Sequence, residues 1–542
     1  MCGIFSIINH KSEYLSEDII RTSFQAGKSR GPEYSTIEYH DKWESIIGFH
    51  RLAINGLNAE SNQPIIIDDI ALICNGEIYN YKKLYEIMEI VPNTQSDCEV
   101  IIHLYKKYGI EQTLRMIDGV FAFVLYTPTE YIIARDPYGV RPLYFINENL
   151  YNMYIVGSEL KSLIKLTEQL SYRIVDQFKP GHYLRIPRDT KFLNELNYVK
   201  YHSLSSNIRT ASYNEEEYEN KLIDIYETLK LAVYKRCETT ERPIACLLSG
   251  GLDSSLIASI VNMYMWENDL PPVETYSIGL ENSEDIKYAK IVADHIGSKH
   301  TEIIVTEEEM ISAIPQVIYA IESYDTTTVR ASIGNYLIGK YISEHSNAKV
   351  IFNGDGSDEI CGGYLYMNKC PDNIEYDKET IRLLSEIYLF DVQRSDRSIS
   401  SHGLEPRTPF LDKHFVNTYL SIPVQHRRHD TIEKFMLREA FSGTHLLPDE
   451  IIWRKKEAFS DGVSNHGRSL FQIIQEYIKS HYEMIDEFVS EDSKLIDLEK
   501  KYYLDLYKKY YPNHTCILPH YWMPKYTNTD DPSARTLEHY LK

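Results

Sequence analysis

Short apolar runs alternate with turn-forming residues along the first part of the chain, up to about residue 200. Each run is flanked by Gly, Pro, Asn or Asp, which commonly end strands and begin turns, so we predict β-strands there. Residues 98–117 instead carry apolar side chains at helical spacing, with Ile101, Leu104, Tyr105 and Tyr108 on one face. The mixture predicts stacked sheets with helices outside them, an α+β arrangement. The clearest strand candidates are IIGFHRLAI (46–54), IALICNGEIY (70–79), GVFAFVLYT (119–127) and YIIARD (131–136).

The pattern changes after a polar stretch at 202–220, whose Ser, Asn and Glu content predicts a linker. A helix-like run, 216–237, leads into a second part in which strands alternate with helices. Such alternation predicts a parallel sheet covered on both faces, an α/β arrangement. Its buried strands are predicted at Ile244–Leu248, 273–280 and 348–353. Ligands of such sheets bind beyond the carboxyl ends of the strands, so we expect three loops to converge: 249–255, 278–282 and 353–359.

Charge and cysteine usage exclude several classes of protein. The chain has 542 residues, and its 57 basic and 79 acidic side chains give a formal charge of −22. That balance argues against binding of nucleic acid or of an anionic membrane, both of which need a basic surface. No apolar run reaches the roughly 18 residues of a membrane span, and the N-terminus lacks the features of a signal peptide. Eight scattered cysteines form neither a disulfide framework nor a metal pattern, which predicts a reduced, cytosolic protein.

The segment SGGLDSS (249–255) follows a predicted strand and opens a predicted helix. Its two glycines let the backbone approach a ligand closely, and its N–H groups offer positive partial charge to an anion. Asp253 would repel a phosphate unless a cation lay between them, and Mg²⁺ takes both carboxylate and phosphate oxygens. An ordinary turn or helix cap is the alternative, and the order strand, SGGLDSS, helix argues against it. The segment resembles the PP-loop of ATP pyrophosphatases, which cleave ATP between the α- and β-phosphates.

Cys2 lies between Met1 and Gly3. Small second residues permit removal of the initiator Met, so we expect Cys2 to become the N-terminus. An α-amino group with a pKa of about 7.7–8.0 beside a thiol near about 8.5 forms a matched base and nucleophile. The arrangement parallels the pair of an N-terminal Thr and its amine. The alternative is a small buried cysteine, and position alone does not exclude it.

Three further segments supply groups that would hold an amino acid and cleave its amide. Arg51 has a planar fork that suits a carboxylate. Asn75 and the N–H of Gly76 could form an oxyanion hole. Asp97 suits an ammonium group. The segment NGDGSDE (353–359) is harder to interpret, because its Gly, Asn, Asp and Ser are also what solvated turns select.

Long motifs in order along the chain make it resemble the glutamine-dependent asparagine synthetases over nearly its whole length. They include MCGI, RGP, HRLAI, NGEIYN, RDPYGVRPLY, LLSGGLDSS, GSDE, HGLEPRTPFLD and WRKKEAFSDGV. The tail at 520–540 is more similar to the eukaryotic type than to the bacterial one. The resemblance implies an α+β N-terminal-nucleophile (Ntn) hydrolase domain with αββα layers at 2–204. It also implies an α/β PP-loop domain at 214–542.

The resemblance further implies a reaction. Cys2 attacks the amide of glutamine and forms a γ-glutamyl thioester, and ammonia passes through an internal tunnel. ATP adenylates the side-chain carboxylate of aspartate, and ammonia attacks the β-aspartyl-AMP to give asparagine, AMP and pyrophosphate. The small-molecule substrates glutamine, aspartate and ATP, the cofactor Mg²⁺, a cytosolic location and a homodimer are the accompanying expectations.

Site residues carry over from the family motifs as expectations. The glutamine site would consist of Arg51, Leu52, Ala53, Ile54, Asn55, Asn75, Gly76, Glu77 and Asp97. The ATP site would consist of Leu248, Ser249, Gly250, Gly251, Asp253, Ser254, Ile278, Asn353 and Gly354. Lys456 would lie beside the phosphates, with Asp253 and Asp358 as metal ligands. Thr328 and Arg330 are candidates for binding aspartate, although Arg330 could equally form a structural ion pair.

Two positions depart from the family pattern. The family reads SGEGSDE at 353–359, whereas this chain has Asn353 and Asp355. Asp355 would be a catalytic carboxylate whose reach is shorter by about 1.5 Å, and a misplacement of ~1 Å can cost about a hundredfold in rate. We therefore predict an active enzyme with slow or leaky coupling. Glu33 replaces the Asp of the RGPD motif and is expected at the surface of the glutamine pocket.

Two other functions are open at this stage. One is an amidotransferase of the same architecture that acts on another carboxylate. The other is an inactive scaffold homologue, against which the intact Cys2, Arg51, Asn75, Asp97 and Lys456 argue.

Overall fold

The computed structural model describes residues 2–11, 13–171, 173–188, 196–204, 212–456, 462–464, 468–484, 494–533 and 536, with residues 483 and 484 described by their backbone alone. The strands are β1 (Gly3–Ile8), β2 (Tyr34–His40), β3 (Ser45–Arg51), β4 (Ile65–Ile67), β5 (Ile70–Ile78), β6 (Gly119–Tyr126), β7 (Glu130–Arg135), β8 (Tyr144–Glu148), β9 (Met153–Gly157), β10 (Asp176–Gln177), β11 (His182–Pro187), β12 (Tyr198–Lys200), β13 (Ile244–Leu247), β14 (Glu274–Gly279), β15 (Lys299–Ile304), β16 (Val350–Phe352) and β17 (Glu405–Arg407). The helices are α1 (Glu17–Gln25), α2 (Tyr81–Met88), α3 (Val100–Met116), α4 (Glu215–Glu238), α5 (Leu252–Glu267), α6 (Glu284–Ile296), α7 (Glu307–Ile321), α8 (Thr326–His345), α9 (Ser357–Cys361), α10 (Asn373–Glu386), α11 (Asp391–Ser400), α12 (Lys413–Leu420), α13 (Val424–Arg427), α14 (Phe435–Phe441), α15 (Asp449–Ile452), α16 (Leu470–Met484) and α17 (Leu495–Tyr510).

The first part of the chain forms two antiparallel sheets that pack face to face. Their strand orders are β10-β8-β9-β1-β3-β2 and β12-β11-β7-β6-β5-β4. Ile47 and Phe49 of the first sheet share a buried core with Ile73 and Val124 of the second. The outer face of the first sheet is covered by α1, and α2 and α3 cover the outer face of the second. These αββα layers confirm the predicted Ntn hydrolase fold, including the four predicted strands.

The second part contains a parallel sheet of order β15-β14-β13-β16-β17. Successive residues of β13 face opposite cores, because Ala245 packs with α7 and α8 while Cys246 packs with α5 and α6. This two-sided burial confirms the predicted α/β sheet. The strand order changes direction between β13 and β16, and such a switch point is where α/β sheets bind ligands.

Two predictions about local structure were wrong. The predicted linker at 202–220 overlaps α4, because Asn214 and Glu217 form a capping box that starts the helix at Glu215; residues 205–211 lie outside the described part of the chain. Tyr108 was predicted to share one helical face with Ile101 and Leu104, yet those two are buried whereas 40% of Tyr108 is exposed. Gly109, at φ 74°, breaks the helical spacing there, so Ile110 restarts the buried face.

Across the described ranges, we find no helix with the length and apolar character needed to cross a bilayer. All eight cysteines are described and all are free thiols.

Candidate functional site: an amide-cleaving centre and a nucleotide pocket

Cys2 lies immediately before β1, where the two antiparallel sheets face each other. Its main-chain N–H donates to Oδ1 of Asn75 on β5 at 3.1 Å, and its Sγ lies 3.7 Å from the carbonyl oxygen of Leu52. Burial raises the pKa of the Cys2 thiol, while the positive charge of Arg51 opposes that rise. Arg30, which the sequence analysis did not single out, is fully buried and donates from Nε to the carbonyl of Cys2 at 3.1 Å. Its position in the RGP motif was the only signal for this role.

The Asn75 side chain is completely buried, and among the described residues only one of its two polar atoms forms a hydrogen bond. Oδ1 accepts from Cys2, whereas Nδ2 has no hydrogen-bond partner in the described structure. A buried donor without an acceptor is costly unless a ligand supplies one. Gly76 follows on the same strand, and a Cβ there would lie 2.6 Å from the carbonyl oxygen of Val120. Asn75 and Gly76 are therefore the two neighbouring residues whose N–H groups are predicted to form an oxyanion hole.

The Arg51 guanidinium is buried among neutral acceptors. It donates to the carbonyl of Asn58 at 2.9 Å, to Oδ1 of Asn62 at 2.7 Å, and to the carbonyls of Asn55 and Gly56. The described part of the chain offers it no carboxylate within ion-pair distance. An uncompensated buried charge favours an anionic ligand.

Two acidic side chains of the predicted glutamine site are also buried. Asn55 donates to Glu77 at 2.7 Å, and the N–H of Ile78 donates to Asp97 at 2.7 Å. Burial and the neighbouring charge of Asp97 raise the pKa of Glu77 well above its usual range. Burial likewise raises the pKa of Asp97 to about 6. The ammonium group of a ligand beside these two buried carboxyl groups would favour their ionised form.

The remaining predicted glutamine-site residues form the loop after β3. Leu52 accepts from the Cys2 thiol through its carbonyl, and the N–H of Ala53 donates to Glu33 at 2.8 Å. The carbonyl of Ile54 accepts from the N–H of Glu241 at 3.0 Å. The structure thus brings together the residues predicted for the glutamine site, and Glu33 contacts this loop through Ala53.

The three predicted loops of the second part converge on a pocket of about 230 Å³. Its lining includes these residues of the predicted ATP site: Leu248, Ser249, Gly251, Asp253, Ser254, Ile278, Asn353 and Gly354. Gly250 does not line the pocket. At φ 72°, it packs against α6, where a Cβ would lie 2.4 Å from the main-chain nitrogen of Ala289.

The SGGLDSS loop and the NGDGSDE loop touch each other. A Cβ at Gly354 would lie 2.7 Å from the Cβ of Asp253 and 2.8 Å from the nitrogen of Ser254. The hydroxyls of Ser249 and Ser254 are 3.0 Å apart at the mouth of the loop. The glycine therefore permits the close approach of two loops that would enclose a phosphate chain.

Two carboxylates and two ammonium groups form a charged cluster on the pocket wall. Lys434 Nζ lies 2.5 Å from an oxygen of Asp253 and 2.5 Å from an oxygen of Asp358. Lys456 Nζ lies 2.6 and 2.9 Å from the two oxygens of Asp358. Although burial opposes ionisation of both groups, the two lysines hold the pKa of Asp358 well below its usual range, and Asp358 raises that of Lys456.

Lys434 was missed by the sequence analysis. It has a left-handed backbone, φ 56°, immediately before α14, and it stands 181 positions from Asp253 along the chain. A lysine at the start of the mixed segment KFMLREAF (434–441) gave no signal of a contact over that distance.

The predicted metal ligands fit a nucleotide-borne Mg²⁺ better than a dedicated metal cage. In the described ranges, no group of three or more His, Cys, Asp and Glu side chains is arranged to hold a metal ion. Asp253 and Asp358 supply two carboxylates, and Mg²⁺ commonly takes one or two carboxylates together with substrate phosphates and water.

Asp355 lines the same pocket. Its Oδ1 accepts from Arg394 at 2.8 Å, and Arg394 also donates to Asp391 at 2.8 Å. Burial raises the pKa of Asp355, and the charge of Arg394 opposes that rise.

Thr328 and Arg330 line the pocket but have partners of their own. Thr328 donates to Asp325 from its main chain and its hydroxyl, at 2.9 and 2.8 Å. Arg330 donates to Glu499 at 2.8 and 2.6 Å and to Asp531 at 2.7 and 2.9 Å. The geometry favours the structural ion pair over the aspartate-binding role for Arg330.

Known protein families match both parts of the chain, the part with Cys2 and the part with the nucleotide pocket. The model of the glutamine amidotransferase domain matches residues 1–213, and that of asparagine synthase matches residues 224–375 and 368–508. The chain is 42% identical to the glutamine-hydrolysing asparagine synthetase of Gallus gallus and 41% identical to that of Homo sapiens. Each alignment covers 100% of this chain and 99% of the relative. The chain belongs to the family of glutamine-hydrolysing asparagine synthetases.

Proposed function

We propose that the protein synthesises asparagine from aspartate, with ATP as the energy source and glutamine as the nitrogen donor. The observation that carries this proposal is the presence, in one chain, of a thiol beside an unpartnered buried amide and of a nucleotide pocket. The curated relatives, aligned along their whole length, bear the name of that activity.

The first half would release ammonia from glutamine. The Cys2 thiolate attacks the amide carbon, the C–N bond breaks, and ammonia leaves with a proton to give a γ-glutamyl thioester; water then hydrolyses the thioester to glutamate. Asn75 Nδ2 and the N–H of Gly76 would stabilise the oxyanion. Arg51 would bind the α-carboxylate, and Glu77 and Asp97 the α-ammonium. Removal of Met1, which would free the α-amine of Cys2 as the base, stays a prediction, since residue 1 lies outside the described residues.

The second half would activate aspartate. An oxygen of its side-chain carboxylate attacks the α-phosphorus of ATP, and pyrophosphate leaves. Ammonia then attacks the β-aspartyl-AMP carbon, and AMP leaves with that oxygen. Lys434, Lys456 and the N–H groups of the SGGLDSS loop would neutralise the phosphates, a contribution that dominates this class of reaction. Asp355 is proposed as the carboxylate that receives a proton from ammonia.

Mg²⁺ is proposed to accompany ATP, with Asp253 and Asp358 as its protein ligands. When bound, it would supply positive charge that reduces the repulsion between those carboxylates and the phosphates. The two lysines would then transfer their ion pairs from the carboxylates to the phosphate chain.

The ammonia must stay neutral to act as a nucleophile, so we propose that it travels between the sites inside the protein, shielded from bulk water. A cytosolic location is supported by the eight free thiols, because disulfides are rare in reducing compartments. The domain limits, 2–204 and 214–542, and a homodimer also stay predictions; mass measurement in solution tests the latter.

Isotope labels test the proposed function directly. The protein is incubated with ATP, amide-¹⁵N glutamine and aspartate whose side-chain carboxylate carries ¹⁸O. We expect ¹⁵N in the asparagine amide and one ¹⁸O atom in AMP, with glutamate and pyrophosphate as co-products. Transfer of ¹⁸O to inorganic phosphate with formation of ADP would contradict adenylation. Labelled ammonia without asparagine would contradict transfer of the nitrogen to aspartate.

A further inference from the structure

The loop after β3, residues 52–56, which we call the glutamine-pocket loop, is hydrogen-bonded to a segment of the second part of the chain. Each of four consecutive residues, 53–56, makes a hydrogen bond to the segment 239–242, which joins α4 to β13. The carbonyl of Ala53 accepts from Arg242 at 2.8 Å, and the carbonyl of Ile54 accepts from the N–H of Glu241 at 3.0 Å. Asn55 donates to the carbonyl of Thr239 at 3.1 Å, and the N–H of Gly56 donates to Glu241 at 2.6 Å.

A closed ring of three residues fixes the first position of this loop. Glu33 accepts from the N–H of Ala53 at 2.8 Å, and its other oxygen pairs with Arg242. Arg242 in turn donates to the carbonyl of Ala53 at 2.8 Å. Both main-chain polar groups of one residue are therefore held by a single ion pair, which we call the Ala53 clamp (Glu33, Ala53 and Arg242).

The clamp affects the groups that would bind glutamine. Arg51 donates to the carbonyls of Asn55 and Gly56, so its orientation depends on where that loop lies. Asn55 divides its amide group between Glu77 and the carbonyl of Thr239. Displacement of the loop would therefore move the sites proposed for the α-carboxylate and the α-ammonium together.

The clamp is also continuous with the nucleotide loop. Arg242 lies two residues before β13, Ile244–Leu247, and β13 leads through Leu248 into Ser249 of the SGGLDSS loop. β13 is the strand next to the switch point of the parallel sheet. A shift of this strand when a nucleotide binds would be passed to the glutamine pocket through the backbone of 239–242.

We propose that Glu33 and Arg242 are positioning residues that set the glutamine pocket from the nucleotide domain. Neither is among the residues expected to touch glutamine, and each acts through the backbone of Ala53. The family position of Glu33 holds Asp, so the longer Glu of this chain suits a contact with both Ala53 and Arg242. The inference rests on the proposed function, because it assumes that the pocket binds glutamine.

Kinetics on the full chain test the proposal with Glu33→Gln and Arg242→Gln. Asp118→Asn is the matched control, since Asp118 forms another ion pair between the halves, with Lys235 at 2.5 Å, away from the loop. Loss of a charged hydrogen bond weakens binding about ten- to a hundredfold. We expect KM for glutamine to rise about tenfold or more in both variants, with kcat for glutamine hydrolysis changed by less than about threefold. The control should match the wild type, and Arg242→Lys should recover part of the loss.

Two further readouts separate positioning from general stability. Ammonium-driven asparagine synthesis should be unchanged in all variants, because it bypasses the glutamine pocket. The double variant should be no worse than Arg242→Gln alone, since both changes open the same ring. An unchanged KM for glutamine, or equal losses with glutamine and ammonium, would overturn the inference. If wild-type protein makes no asparagine from ammonium, the proposed function itself fails, which is a separate outcome.

Discussion

The carboxylate of Asp355 accepts a hydrogen bond at 2.8 Å from Arg394, which also holds Asp391 at 2.8 Å. The shorter side chain at position 355 therefore lies against a cation on the pocket wall. Arg394 opposes the rise that burial gives the pKa of Asp355, and the ion pair holds the carboxylate at the pocket wall. The pairing provides a physical reason for the leaky coupling predicted from the family comparison.

Replacement of Asp355 by Glu should raise the yield of asparagine per ATP consumed. The extra methylene extends the carboxylate by about 1.5 Å towards the pocket, and an error of ~1 Å in position can cost about a hundredfold in rate. The measurement compares asparagine with AMP formed at saturating ammonium. Asn353→Ser, the other departure from the family pattern, is the companion variant and should not improve the ratio. An equal or lower ratio for Asp355→Glu would rule out this explanation.

Lys434 and Lys456 should be needed for synthesis but not for glutamine hydrolysis. Replacement of either by Met removes a charge proposed to neutralise the phosphates, so asparagine formation with either nitrogen donor should fall about a hundredfold or more. Glutamate release in the absence of ATP should stay within about twofold of the wild type. Lys378→Met, at an exposed lysine, is the control. Retention of synthesis in Lys434→Met would remove that residue from the phosphate site.

Glutamine use should depend on a group that titrates near pH 6. Burial raises the pKa of Asp97 to about 6, and only the ionised form attracts the α-ammonium of glutamine. We expect kcat/KM for glutamine to fall as the pH drops through about 6, since this ratio reports the free enzyme. The rate of ammonium-driven synthesis, corrected for the ionisation of ammonium, should not fall in this pH range. If both reactions show the same fall, a group other than Asp97 causes it.

The shift also predicts a direction for stability. Unfolded Asp has a pKa of about 3.9, so the folded protein binds this proton more tightly than the unfolded chain does. The contribution of Asp97 to stability is therefore greatest below about pH 4 and is lost as the pH rises through about 6. Replacement by Asn should remove that loss, measured as a smaller decline in unfolding free energy between those pH values.

Arg330 should prove structural. Its guanidinium neutralises two buried carboxylates, Glu499 and Asp531, and loss of one partner from a buried ion pair costs about 3–5 kcal/mol. Arg330→Met should therefore lower the unfolding free energy by about that amount in chemical denaturation. Arg468→Met, at an exposed ion pair, is the control and should leave the unfolding midpoint unchanged. A normal unfolding midpoint with a raised KM for aspartate would instead support the binding role.

The elements with regular periodicity were predictable from the sequence. β5 and β6 are short apolar runs between turn residues, and β13 precedes a glycine-rich loop, so local pattern defined them. Features that depend on one backbone angle or one cap were not predictable. The left-handed Gly109 ended a buried face early, and the side chain of Asn214 started a helix inside an apparent linker.

The candidate site divides in the same way. Cys2, Asn75 and Asp253 lie in motifs whose local chemistry is visible in a few residues. Lys434 and Arg30 make contacts with residues far away in the chain. Nothing in the segment of Lys434 indicates its contact, and the RGP motif was the only signal for Arg30. The pattern of polar and apolar residues could not reveal that segment 239–242 holds the glutamine-pocket loop, because each of these hydrogen bonds joins residues that are distant in the sequence.

We infer that Cys2 supplies ammonia to a separate synthetase site. The most direct test of this inference is Cys2→Ala, assayed with aspartate and ATP and with either glutamine or ammonium as the nitrogen donor. We expect glutamine-driven asparagine synthesis to be abolished, while ammonium-driven synthesis stays near the wild-type rate because the nucleotide pocket is intact. Glutamine-driven synthesis that survives the substitution, or absence of asparagine with both donors, would contradict the inference.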